Sequence, residues 1–125
     1  MRKATGLGRV YYATKFSLQG IRSCWQSEPA FRFELLLLSI FAPASFFVAK
    51  SPLQWAVLII PIMGVLAMEM VNTAIERVVD HISMEDHELL GQAKDLGSAA
   101  VFMFMLATLL VWGAVITYNW PLFEL

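Results

Sequence analysis

Charge is scarce in this sequence of 125 residues: nine Lys and Arg and ten Asp and Glu make up 15% of it, against 58% apolar residues. Soluble domains carry about 25% charged residues, and a short chain has proportionally more surface to cover than a long one. So few charges would leave most of that surface bare. The composition excludes a water-soluble globule, and a membrane supplies the missing apolar solvent. A surplus of basic residues is lacking too, since the formal net charge is −1, which argues against a nucleic-acid binder. The single cysteine, Cys24, excludes an intrachain disulfide and a Cys-based zinc site. His81 and His87 lack a metal-ligand spacing. No G-x-x-x-x-G-K-[S/T] occurs, and Gly6-Leu7-Gly8 precedes no strand pattern, so neither a P-loop nor a soluble protein-kinase scaffold is available.

What is present is three long uncharged runs. Nothing ionisable lies between Glu34 and Lys50, between Lys50 and Glu69, or between Asp95 and Glu124. A helix crosses the hydrocarbon with roughly 20 residues, so the runs predict transmembrane helices over 29–49, 52–80 and 96–120, with a loop over 81–95. Residues 1–27 mix Arg2, Lys3, Arg9, Lys15 and Arg22 with Val10, Tyr11, Phe16, Leu18, Ile21 and Trp25, the pattern of an amphipathic surface helix. They lack the long apolar region and small-residue cleavage site of a signal peptide. Ser27-Glu28-Pro29 reads as a cap followed by proline in a first helical turn, and Pro43 predicts a kink. The expected fold is an all-α, single-domain membrane protein. Arg2, Lys3, Arg9, Lys15, Arg22, Arg32, Arg77 and Lys94 fall on one side of this layout and Lys50 on the other, so the N-terminus and the 81–94 region are expected in the cytoplasm. Trp55, Tyr118 and Trp120 would form an interfacial aromatic belt at the opposite face.

The second span carries unusual polar content. At 100° per residue Asn72, Glu76 and Asp80 lie within about −60°, −20° and +20° of Glu69, so four polar side chains share one stripe. Interhelical hydrogen bonding alone needs only one or two such residues. Three aligned carboxylates repel unless protons or cations neutralise them. Hard oxygen donors suit Mg²⁺, which keeps waters and is commonly shared with substrate phosphates. The following segment adds Glu85, Asp86, His87, Glu88, Lys94 and Asp95, where Lys94 suits a phosphate and Gly91 and Gly97 permit close backbone approach. By itself that segment also fits an ordinary solvated turn.

Three stretches carry a specific resemblance: EPAFRFE over 28–34, EMVNTAIERVVD over 69–80 and ELLGQAKDLGSAAV over 88–101. In this order and spacing they resemble the bacterial integral-membrane diacylglycerol kinase family, with the likeness running from Gly6 to about Tyr118. The resemblance implies a homotrimer of three-span chains with surface helices in the cell inner membrane, transferring the γ-phosphate of MgATP to diacylglycerol. It makes Glu69 the general base with Asn72 close by, and Glu28 and Glu76 the Mg²⁺ ligands. It implies an ATP site of Phe16, Glu28, Glu76, Glu85, Asp86, His87, Lys94 and Asp95. Arg9, Arg22, Trp25, Phe31, Arg32, Glu34, Glu69 and Ser98 match positions lining the lipid cleft. Phe16 stands where the family often has tyrosine, and Leu18 where tryptophan is common. Relatives acting on undecaprenol share the same stripe, so that acceptor remains open, and a small proton-coupled transporter or a non-enzymatic membrane subunit would also place polar residues within a span.

Overall fold

The computed structural model describes residues 5–123, which form four helices and no strand. Helix α1 covers Gly6–Ser27, α2 Pro29–Val48, α3 Pro52–Ile82 and α4 Glu88–Phe123. The expected contributions of Arg2 and Lys3 lie outside the described residues. Helices α2, α3 and α4 are each long and apolar enough to span a membrane, with mean hydropathy of 1.7, 1.9 and 2.4 over their most apolar stretches. Each start follows local chemistry. Pro29 and Pro52 occupy first turns, where a missing N–H leaves no bond unmade. Ser51 caps α3 by accepting from the Gln54 amide at 3.2 Å.

Some boundaries differ from the sequence expectation. The connection before α4 is only residues 83–87, so the expected loop over 81–95 is helical at both ends. Charged residues end the membrane-compatible run, but a helix continues into water, and Glu88 in the first turn of α4 complements its dipole. The capping residue at the α1–α2 junction is Glu28, not Ser27, and no side chain caps that start. Ser27 instead turns its hydroxyl back toward the Ser23 carbonyl, at 3.0 Å. Helix α2 runs through Pro43 as one element.

Helices α3 and α4 pack antiparallel along their lengths, which the sequence of contacts fixes. Asp80 meets Lys94, Asn72 meets Gly97, Gly64 meets Phe104, Leu58 meets Trp112 and Gln54 meets Asn119. A Cβ on Gly64 would run into the Phe104 ring, so this crossing needs glycine. Leu58, Ile62 and Trp112 form the apolar core, with Phe41 edge-on to Trp112 at a centroid distance of 5.1 Å. The indole N–H of Trp112 donates to the Leu58 carbonyl at 3.0 Å.

The end of the bundle opposite the acidic segment is closed by amides. Asn119 is fully buried, and its Nδ2 donates to the Val48 carbonyl at 2.9 Å and to Gln54 Oε1 at 2.7 Å. Gln54 Nε2 returns a bond to Asn119 Oδ1 at 3.2 Å. One side chain thus ties the end of α2, the start of α3 and the end of α4. Asn119→Ala should cost about 1–3 kcal/mol of stability, because it leaves buried acceptors unpaired. Reversible unfolding in mixed detergent micelles measures this, and a change below about 0.5 kcal/mol would show that the clamp does not hold the helices together.

Candidate functional site

The polar stripe of α3 divides between two neighbouring helices and its own turns. Glu69 lies toward α2, where its carboxyl interacts with that of Glu34. Two facing carboxylates repel unless a proton or a polar group lies between them. Asn72 and Glu76, one turn apart, join through Asn72 Nδ2 donating to Glu76 Oε1 at 3.2 Å. Asp80 pairs with Lys94 of α4, Oδ1 to Nζ at 2.7 Å. All four stripe residues are half-buried, as a cleft between helices requires.

Backbone approach makes this geometry possible. A Cβ on Gly97 would collide with Asn72 Oδ1 and lie 3.3 Å from its Cγ, so α4 can press against the Asn72 amide only through glycine. That oxygen is left buried and unpartnered among the described residues, as is Glu34 Oε2. Orphaned acceptors of this kind are costly and call for a ligand or proton.

Glu85, Asp86, His87, Lys94 and Asp95 line one depression of about 470 Å³ beside the end of the stripe. Ser83 shapes its floor by accepting from the Glu85 amide at 3.1 Å. Five of the residues expected around ATP are therefore gathered together, and the Asp80–Lys94 pair joins them to Glu76. Phe16 is elsewhere, in a groove of about 350 Å³ between α1 and α3 with Ser23, Thr73 and Arg77.

The residues expected around lipid are more scattered. Glu34 faces Glu69, but Phe31 is 2% exposed and sits inside the chain. Arg32 uses Nη1 to bind the Trp25 carbonyl at 2.9 Å and that of Gln26 at 3.3 Å, which satisfies the last carbonyls of α1. Arg9 and Arg22 lie exposed on α1, Trp25 is exposed at its end, and Ser98 is exposed on α4. Cys24, at 3% exposure, packs against Thr73 with Sγ 4.0 Å from Oγ1. Burial pushes its thiol above the ordinary range, which makes it a packing group rather than a nucleophile.

Among the described residues no three His, Cys, Asp or Glu side chains converge as a closed metal cage. Mg²⁺ does not require one, since one or two carboxylates plus phosphates suffice. Glu76 offers carboxylate oxygens of the right kind, while Asn72 turns its Nδ2 toward Glu76 and its Oδ1 toward Gly97. Glu28, at the α1–α2 junction, accepts from Ser27 Oγ at 3.4 Å, and Ser27 is bound by Arg77, the residue next to Glu76. The carboxylates of Glu28 and Glu76 are hard oxygen donors, the kind this ion takes.

Sequence reading missed the contacts of Arg77, Thr73 and Ser23. Arg77 and Thr73 are one turn apart on α3, a spacing that marks a second polar face toward α1.

Known proteins resemble the chain over most of its length. The family model described as prokaryotic diacylglycerol kinase matches residues 15–116. A diacylglycerol kinase of Haemophilus influenzae is 42% identical over 118 residues, covering 94% of this chain and 100% of its own. One from Escherichia coli strain K12 is 37% identical over 108 residues, covering 86% and 88% respectively. A Helicobacter pylori diacylglycerol kinase is 35% identical over 112 residues, covering 89% of this chain and 87% of its own.

Gly97→Ala tests the close approach directly. The added methyl should displace the Asn72 amide and break its bond to Glu76, while the helix itself gains propensity. The Asn72 side-chain NH₂ resonances should move in the spectrum of the folded protein. Unmoved resonances would contradict the packing of α4 on Asn72.

Proposed function

The chain belongs to the prokaryotic diacylglycerol kinase family, and from that premise we propose that it phosphorylates diacylglycerol with MgATP at the polar stripe of α3. The observation that carries this reading is the joining of the stripe to the acidic depression through Asp80 and Lys94. A transporter or a purely structural subunit has no use for a phosphate-sized basic group at that place.

Glu69 is the general base. A lipid alcohol is too weak an acid to ionise at neutral pH, so a carboxylate must take its proton as the bond to phosphorus forms. The hydroxyl oxygen bonds to the γ-phosphorus, the bond to ADP breaks, and the proton passes to Glu69. Glu34, facing Glu69, directs that carboxylate toward the acceptor. Asn72 positions the Glu76 carboxylate through its Nδ2. Lys94 leaves Asp80 for a phosphate oxygen, and Glu85, Asp86, His87 and Asp95 surround the nucleoside. Glu28 and Glu76 would hold Mg²⁺, which when bound neutralises part of the phosphate charge.

The side rich in Lys and Arg faces the cytoplasm, where ATP is present, and the protein resides in the cell inner membrane. Three spans are too few to enclose a lipid and a nucleotide, so the working unit is a homotrimer. Residues such as Ile40, Ile60, Leu109 and Leu110 turn outward and meet lipid or a neighbouring copy.

The direct test supplies the purified chain in micelles with labelled ATP, Mg²⁺ and either diacylglycerol or undecaprenol. Label in phosphatidic acid is expected. Label only in undecaprenyl phosphate would move the acceptor to the polyprenyl alcohol, and no labelled lipid would overturn the kinase reading. In the same assay Glu69→Gln should keep its fold and lose about 10²- to 10⁴-fold in turnover, the usual cost of a lost general base. Near wild-type turnover at saturating substrates would show that Glu69 is not the base.

A further inference from the structure

The polar network at the end of α1 assigns a role to a residue outside the stripe. The guanidinium of Arg77 grips two hydroxyls on successive turns of α1, Nη1 to Ser23 Oγ at 2.9 Å and Nη2 to Ser27 Oγ at 2.6 Å. Ser27 Oγ in turn reaches Glu28 Oε1 at 3.4 Å. We propose that Arg77 is a positioning residue: it holds the α1–α2 junction, and through Ser27 the carboxylate of Glu28, against the polar face of α3. This rests on the reading of Glu28 as a Mg²⁺ ligand.

Several features converge on the junction. The last turn of α1 has no basic residue of its own to bind its final carbonyls, and Arg32 of α2 does so from one side. Arg77 of α3 secures the other side, and the Cys24–Thr73 contact is buried beneath it. Glu28 ends α1 and precedes α2 with no side-chain cap to fix it, so the direction of its carboxylate follows the junction. Ser27 has a single hydroxyl proton. With Arg77 donating into its lone pair, that proton is free for the Ser23 carbonyl or the Glu28 carboxylate. The fork matters as well as the charge, because only a planar guanidinium spans two hydroxyls with parallel donors.

Two measurements on the full-length chain in micelles test this. Hydrogen exchange reads the junction without any turnover, and Mg²⁺ titration of lipid phosphorylation reads Glu28. Arg77→Ala should speed amide exchange over 24–28 and raise the Mg²⁺ concentration for half-maximal rate roughly fivefold, the weight of one partly exposed hydrogen bond. The rate at saturating Mg²⁺ should change much less. Arg77→Lys should not restore either property, Ser27→Ala should reproduce the Mg²⁺ shift, and in a Glu28→Ala background Arg77→Ala should add no further shift. Full rescue by lysine would overturn the proposal in favour of simple charge. Unchanged exchange in Arg77→Ala would overturn it outright. Faster exchange with an unmoved titration would overturn the link to Glu28, provided Glu28→Ala itself moves the titration. If Glu28→Ala does not, the Mg²⁺ assignment of Glu28 fails instead, while faster exchange upholds the hold of Arg77 on the junction.

Discussion

Polar side chains within an apolar span find no water to bind, so they must find partners in the protein. Helix α3 finds them on α1, on α2, within itself and along its long seam with α4. Lys94 answers Asp80 at one end, and Asn119 answers Gln54 at the other. Between them Gly97 and Gly64 let the two backbones approach, which presses Asn72 into place beside Glu76. Without this seam the stripe would lie open to lipid. Among the described residues, the buried side-chain atoms left without a partner are Asn72 Oδ1 on the seam and Glu34 Oε2 on α2.

The two ends of the seam differ in kind. At the Asn119 end the amides of Asn119 and Gln54 bind each other and the Val48 carbonyl, which closes the bundle. The Lys94 end instead holds a partly exposed ion pair beside an open acidic depression. An ion pair in water contributes little to stability, so its groups exchange partners at small cost. The seam thus has one end closed by amides and one end open beside charged groups.

Much of this was legible in the sequence because membranes impose simple rules. The gaps between charges located the three spans, and helical periodicity aligned Glu69, Asn72, Glu76 and Asp80 before any partner was known. The start of α4 was not legible, since Glu88, Lys94 and Asp95 mark where water begins and not where the helix does. The Gln54–Asn119 clamp joins residues far apart in sequence, and neither residue is unusual by itself. Arg77 counted only as one more positive charge, because its partners Ser23 and Ser27 lie on another helix. Phe31 and Arg32 match family positions lining the lipid cleft, and what the sequence does not show is that Phe31 is buried and Arg32 binds the end of α1.

On the proposed function, nucleotide enters at the Lys94 end of the α3–α4 seam and engages the stripe there. The most direct measurement adds a non-hydrolysable ATP analogue with Mg²⁺ to the full-length chain in micelles and follows side-chain resonances of Lys94, Asn72, Gln54 and Asn119. The account predicts that Lys94 and Asn72 shift together as Lys94 leaves Asp80, while Gln54 and Asn119 stay where they are. Saturable binding that left Lys94 and Asn72 unmoved, or that perturbed only the Gln54–Asn119 end, would contradict it.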